Sequence, residues 1–144
     1  MTVRRSKVLP TRSELRILHA LWDLGQATVE DVTRHRTFPR RPNYKTTQTL
    51  LRIMEQKGLV QHFIRGRVFL FAPRVTREEV GQGTVRQLLE QNFGGSPAEL
   101  LVNLLESAHV AERELDELEA LIRKYRSQKH NFGVHAAHSS GKGS

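Results

Sequence analysis

One stretch, residues 43–58 (NYKTTQTLLRIMEQKG), strongly constrains how this chain can fold. It carries the signals of a single amphipathic helix, because Asn43 can cap the first turn and Gly58 suits the left-handed position that ends a helix. Its apolar residues fall on one side at helical spacing. They are Leu50, Leu51 and Met54, continued beyond the helix by Leu59 and Val60.

The opposite side of this helix offers hydroxyls, an amide and cations near its N-terminus. These side chains are Lys45, Thr46, Gln48, Thr49 and Arg52. A helix that packs through its C-terminal half and presents such groups from its N-terminal half fits the major groove of DNA. An ordinary core helix with a solvated polar face has the same pattern, so this helix alone leaves both interpretations open.

Charge is distributed unevenly over the 144 residues. Residues 1–75 hold 15 Lys/Arg and 5 Asp/Glu, a net of +10, while residues 76–144 hold 8 and 10, a net of −2; together these give the chain's +8. The candidate groove helix lies in the basic half. The asymmetry predicts a DNA-binding half joined to a half of another kind. A generally basic protein with an acidic tail helix is the alternative.

Two shorter helices are predicted ahead of the groove helix. The first begins at a capping box formed by Thr11 and Glu14. The second starts at Thr28 and ends near His35. A loop rich in arginine then leads into the groove helix, where a phosphate backbone would pass. Its arginines are Arg36, Arg40 and Arg41.

The spacing of the apolar residues changes after the groove helix. Two runs rich in β-branched and aromatic residues, 59–64 and 68–72, flank Arg65-Gly66-Arg67, which predicts a β-hairpin with a basic tip. Three helices followed by a hairpin make a winged helix, a helix-turn-helix variant whose wing lies along the DNA backbone. We therefore expect the two arginines of the tip to meet phosphate.

Three further helices are predicted at about 76–93, 96–106 and 111–126. The middle one is apolar nearly all round, and the last repeats apolar residues at spacings of three and four, as in a coiled-coil seam. Such helices cannot form a deep core alone, so their apolar excess predicts pairing with a second copy. The expected contact residues are Leu88, Leu89, Leu101, Leu104, Leu105, Leu115, Leu118, Ile122 and Tyr125.

Other classes of protein find no support in the sequence. Cysteine is absent and the seven histidines show no ligand spacing, so neither a metal nor another cofactor is expected. No phosphate-binding loop or catalytic triad stands out, so an enzyme is not expected. No apolar run is long enough for membrane insertion and no signal sequence is apparent, which predicts a cytoplasmic protein.

Several short motifs follow one another in order over about residues 8–126. They are Leu9-Pro10-Thr11-x-x-Glu14-x-x-Ile17-Leu18-x-x-Leu21-Trp22, Thr28-Val29-x-x-Val32, Tyr44-Lys45-Thr46-x-x-Thr49-Leu50-Leu51 with Lys57-Gly58, and Gly66-Arg67 with Pro73. In this order they resemble the penicillinase-repressor family, which includes the methicillin-resistance and copper-transport repressors. The resemblance implies homodimeric winged-helix repressors that bind dyad operators upstream of resistance or efflux genes.

A mainly α fold with one small β-hairpin is thus expected, in three parts. Residues 1–75 form a winged helix-turn-helix DNA-binding domain with a basic N-terminal arm, residues 76–126 form a three-helix dimerisation domain, and residues 127–144 form a disordered tail. The partner is double-stranded operator DNA. The residues expected on DNA are Arg41, Tyr44, Lys45, Thr46, Gln48, Thr49, Arg52, Arg65 and Arg67.

Some members of this family are controlled by a membrane sensor protease. For them the resemblance implies that induction cuts the repressor within its dimerisation domain at an Asn–Phe bond. The corresponding bond in this sequence is Asn103–Leu104, with leucine in place of the phenylalanine. Ile53 also differs, because some members carry a groove-facing arginine there.

Two other functions stay open at this point. A ligand-sensing winged-helix regulator would hold an effector pocket in its dimerisation domain, marked by a polar group committed to the apolar interior of 84–125. A winged helix used as a protein-interaction module would have few cations on the groove helix and no basic wing. The cations Lys45, Arg52, Arg65 and Arg67 argue against that module.

Overall fold

The computed structural model describes the backbone of residues 8–143 and the side chains of residues 8–130. The predicted basic arm therefore falls largely outside the described residues. The elements within this range are α1 Arg12–Leu24, α2 Val29–Thr33, α3 Tyr44–Lys57, β1 Val60–Arg65, β2 Val68–Pro73, α4 Arg77–Asn92, α5 Pro97–Ser107 and α6 Glu112–Gly143. Their order confirms the predicted mainly α fold with a small β-hairpin.

Side-chain caps determine where the first three helices begin. Thr11 and Thr28 each accept a hydrogen bond from a backbone N–H of the first helical turn, and the acid at the third position accepts one from the backbone N–H of the cap residue. Asn43 accepts from the Lys45 N–H at 2.7 Å and so caps α3. Gly58, with φ of 83°, ends α3 in the left-handed conformation. The local signals thus place α3 at its predicted bounds.

The core of the N-terminal half lies between α1, α2, α3 and the base of the hairpin. Trp22 packs against it, and its Nε1–H donates to the Val75 carbonyl at 2.9 Å. This core fixes α3 through its inner side and leaves the outer side of its N-terminal half uncovered. The buried apolar residues include Ile17, Leu18, Leu21, Val32, Leu51, Met54, Leu59, Val60 and Phe71.

The hairpin is antiparallel, with His62 opposite Phe71 and Arg65 opposite Val68. Ala27, just before α2, forms a bridge with Phe71 on the other edge of β2. Both backbone groups of Phe71 bond to Ala27, at 2.8 and 3.0 Å. β2 is therefore the middle strand, and β1 lies at the edge of the sheet.

Contacts divide the chain into one unit ending at Gly95 and another beginning at Ser96. α4 thus packs with the winged helix, since Val80 is buried and Gly83 lies close against Leu9. This division comes later than the predicted boundary after residue 75. The cap and spacing of α4 are local signals, so they predict a helix without revealing which core it joins. Dimerisation through 76–126 stays a prediction.

The second unit contains α5 and α6. α6 extends to Gly143, beyond the predicted helix end near Arg126. The disordered tail at residues 127–144 stays a prediction, and the side chains after His130 lie outside the described residues. None of the helices in the described part of the chain has the length and apolarity of a membrane span.

Candidate nucleic-acid interface

The outer side of α3 presents a continuous polar surface. Lys45, Thr46, Thr49 and Arg52 are exposed, as predicted, and Gln48 is half-buried. Hydroxyls, an amide and two cations on one helix side match the donor and acceptor pattern of base edges and phosphates. This surface forms part of the candidate interface.

Thr47 separates these residues in sequence but turns inward. Only 1% of it is exposed, and its hydroxyl donates to the Asn43 carbonyl at 3.3 Å. The inward threonine explains why the run Thr46-Thr47-Gln48-Thr49 contributes three side chains, and not four, to the outer surface.

A tight turn places two arginines at the tip of the wing. Gly66 follows Arg65 and has φ of 66°, the positive value that the first position of a type II′ hairpin turn requires. Arg65 and Arg67 on either side of it are exposed. The basic tip is thus a consequence of one glycine that closes the hairpin in two residues.

A groove of about 520 Å³ runs between α3 and the wing. Its helix wall is formed by side chains spaced four, four and three residues apart, which is one side of a helix. Its wing wall carries one arginine and three aromatic rings. The helix wall contains Tyr44, Gln48, Arg52 and Glu55, and the wing wall contains His62, Arg67, Val68, Phe69 and Phe71.

Four of the nine predicted DNA-binding residues therefore line one groove. They are Tyr44, Gln48, Arg52 and Arg67. Lys45, Thr46 and Thr49 lie on the adjoining outer surface of α3, Arg65 lies at the wing tip, and Arg41 is exposed in the loop before α3. The arginines of that loop do not line the groove.

Glu55 and His62 are among the groove residues that sequence reasoning missed. Glu55 Oε2 accepts the His62 backbone N–H at 3.1 Å and lies 2.6 Å from His62 Nδ1. The spacing of Glu55 from Gln48 and Arg52 places it on the same helix side, which is a signal that could have found it. Its histidine partner is on another element, and no local pattern reveals that contact.

Metal binding has no geometric basis in the described residues. They contain no group of three or more His, Cys, Asp or Glu side chains that could hold an ion together. The Glu55–His62 pair supplies only two ligand groups, fewer than a structural zinc site requires.

The candidate cleavage bond, Asn103–Leu104, lies inside α5. The Asn103 side chain donates to the Glu99 carbonyl at 2.8 Å, and the Ser107 hydroxyl donates to the Asn103 carbonyl at 2.6 Å. The carbonyl of this peptide bond is thus held by a side chain as well as lying within a helix. Any protease that reads an extended chain must first open this part of α5.

The residues predicted for dimerisation fall into two groups. Leu88 and Leu89 lie on α4, in the unit that ends at Gly95. The others lie on α5 and α6, where α5 contains no buried residue. Leu104, Leu105, Ile122 and Tyr125 are exposed, and Leu101, Leu115 and Leu118 are half-buried.

The ligand-sensing alternative places an effector pocket inside the dimerisation domain. Within a single protomer, the buried polar side chains of the described residues are Glu14, Thr33 and Thr47, and all lie before α4. Because this burial describes one protomer and not a paired domain, the alternative stays open.

The three-helix core, the uncovered outer side of α3 and the basic wing together define a winged-helix DNA-binding protein. The family model described as "Penicillinase repressor" matches residues 10–124. The chain therefore belongs to the penicillinase repressor family, whose members are transcriptional repressors and not enzymes, and the resemblance found in the sequence is confirmed.

A curated relative is similar over a stretch of nearly the same length. It is the penicillinase repressor of Bacillus licheniformis, which is 22% identical over 117 residues, covering 81% of this chain and 91% of the relative. The similarity thus extends over both the winged helix and the helices that follow it.

Proposed function

We propose that this protein is a homodimeric repressor that binds a dyad operator, with α3 of each protomer in the major groove of one half-site. The observation that carries the proposal is the division of α3 itself. Leu51 and Met54 are fully buried on its inner side, while Lys45 and Thr49 are exposed on its outer side, beside a basic wing. A helix fixed in this way can insert into a groove without losing its packing.

The side chains of the interface divide by chemistry into readers and anchors. Thr46, Gln48 and Thr49 carry short hydroxyl or amide groups on α3, which suit hydrogen bonds to base edges. Arg41, Lys45, Arg65 and Arg67 are cations at the periphery, which suit phosphate neutralisation. Tyr44 and Arg52 line the groove between the two sets and complete the contact surface.

The apolar residues of α5 and α6 support pairing with a second copy. Leu104 is 46% exposed and Ile122 is 48% exposed. These fractions are high for large apolar side chains that lie on the same helix sides as other leucines. In a single protomer, α5 and α6 leave this apolar surface uncovered. Interlocking with the same helices of another protomer would cover it and would link two α3 helices on one DNA molecule.

We also propose that proteolysis relieves the repression. Cutting Asn103–Leu104 would separate the winged helix from α6, with its seam of Leu115, Leu118 and Ile122. A membrane sensor protease acting on a cytoplasmic repressor is the partner that this route requires. The leucine after Asn103 would have to be accepted by that protease in place of phenylalanine.

Selection from a random-sequence DNA pool with the purified full chain tests the operator directly. We expect enrichment of two inverted copies of one short motif, with centres about 10 bp or a multiple of that spacing apart. The Gln56→Ala variant, altered at an exposed position near the end of α3, should enrich the same sequences. Absence of enrichment, or enrichment of a single unrepeated motif, would contradict a dimer on a dyad.

A further inference from the structure

Glu55 occupies an unexpected place for a carboxylate. It lies on the helix side that carries Gln48 and Arg52, and it lines the groove between α3 and the wing. A negative charge there repels DNA phosphate, so electrostatics alone would favour its absence from this surface. The contacts of Glu55 indicate another role.

Glu55 contacts β1, the edge strand of the hairpin. Because Phe71 uses both backbone groups on Ala27, His62 opposite it belongs to a pair without hydrogen bonds, and its N–H points away from β2. Glu55 Oε2 accepts this N–H at 3.1 Å. A carboxylate of α3 thus satisfies an edge N–H that no strand pairs with.

The side chain of His62 strengthens the same connection. A carboxylate can only accept, so the Nδ1 atom 2.6 Å from Glu55 Oε2 carries the hydrogen and donates it. The imidazole ring also stacks on Phe69, with centroids 4.9 Å apart and planes 11° from parallel. Glu55 therefore binds β1 through the backbone and β2 through the stacked rings.

The geometry points to Glu55 as a positioning residue that holds the wing at a fixed distance from α3. Arg67 on the wing and Arg52 on α3 line opposite walls of the groove, so the span between them depends on how the wing is held. Holding it in advance spares DNA binding the cost of ordering the wing. This inference rests on the proposed DNA-binding function and adds a residue that need not touch DNA.

The direction in which DNA affinity changes on substitution of Glu55 distinguishes a positioning role from a purely electrostatic one. Glu55→Ala makes the protein more positive, so a purely electrostatic role predicts tighter DNA binding. Positioning predicts weaker binding, on the order of tenfold, and a salt slope lower by about 1 per protomer, because the wing arginine is no longer presented. Glu55→Gln keeps one acceptor oxygen and should fall between wild type and Glu55→Ala.

Two controls complete the DNA arm of the experiment. Glu90→Ala removes an exposed carboxylate from α4 and should not weaken binding. Arg67→Ala should lower the slope by the same amount as Glu55→Ala, and the double variant should show little further loss. Additive losses would mean that Glu55 acts independently of the wing arginine.

Amide exchange in the free protein gives a second, DNA-independent measurement. The His62 N–H should exchange faster in Glu55→Ala, while the amides of the α1 and α3 core keep their wild-type rates. An unchanged His62 rate, or Glu55→Ala binding DNA as tightly as wild type with the same slope, would overturn the inference and leave the proposed function intact. Failure of wild type to bind DNA selectively would overturn both.

Discussion

Lys57 Nζ lies 2.8 Å from Oε2 and 3.0 Å from Oε1 of Glu14, which ties the last turn of α3 to the first turn of α1. Glu14 is only 2% exposed, and its other bond comes from the Thr11 N–H within its own cap. The last turn of α3 is thus anchored by a charge pair whose carboxylate is buried.

Removing the cation of this pair should destabilise the fold. Lys57→Met leaves the buried Glu14 carboxylate without its counter-charge, and we expect a loss of about 3 kcal/mol in the free energy of unfolding. Denaturant titration, followed by the fluorescence of Trp22, measures it. Lys45→Met is the matched control, because Lys45 is exposed on the same helix and should change stability by less than about 0.5 kcal/mol while weakening DNA binding. Equal stability losses in the two variants would contradict the assigned role of Lys57.

Variants that lack a base-reading side chain and variants that lack a phosphate-contacting side chain should differ in how their DNA affinity depends on DNA sequence and salt concentration. Thr49→Val removes a hydroxyl at nearly constant volume and should relax preference at one or two base pairs. Arg65→Ala should weaken binding to operator and random DNA alike and lower the salt slope by about 1 per protomer. Fluorescence anisotropy at several salt concentrations distinguishes them. If both variants affect operator and random DNA equally, the division into readers and anchors is wrong.

Two glycines of α4 offer a test of its packing against the first unit. Gly81→Ala meets open space and should stabilise the protein by up to about 1 kcal/mol, the helix propensity difference. Gly83→Ala should gain less, because its Cβ would lie 2.9 Å from Leu9 Cδ2. Thermal unfolding compares them.

The Leu9→Ala background provides the control for this pair, since it removes the opposing side chain. There the Gly83→Ala gain should approach that of Gly81→Ala. A Gly83→Ala gain that is as large in the wild-type background would mean that α4 does not approach Leu9 closely.

The elements of the winged helix could be predicted because their signals are local. The caps at Thr11, Thr28 and Asn43 and the glycine at Gly58 act within one helical turn, so sequence alone locates three helix starts and the end of α3. The exposed polar side of α3 followed from spacing for the same reason.

What could not be predicted depends on contacts between distant parts of the chain. Gly83 approaches Leu9, and Trp22 bonds to the Val75 carbonyl, so only the folded core assigns α4 to the first unit. The Glu55–His62 contact joins two elements and requires His62 to lie at a sheet edge. That edge is set by Ala27, which no strand pattern indicated.

Loss of the dimerisation helices should release DNA without altering the winged helix. A chain ending at Asn103 keeps every proposed DNA-contacting residue and loses α6. We therefore expect this fragment to be monomeric and to bind one half-site with the same affinity as the full chain has for one half-site. Light scattering and half-site titration measure this. A dimeric 1–103 fragment would show that the seam at Leu115, Leu118 and Ile122 is not what pairs the protomers.

The comparison of a two-half-site duplex with a single half-site tests the central claim, that two linked recognition helices secure repression. For the full chain we predict affinity for the two-half-site duplex at least 100-fold above that for one half-site, because the second contact becomes intramolecular. The Leu118→Glu variant, with a charge in the proposed seam, should lose this difference while keeping its half-site affinity. Equal affinity of the wild-type chain for both duplexes would contradict the account.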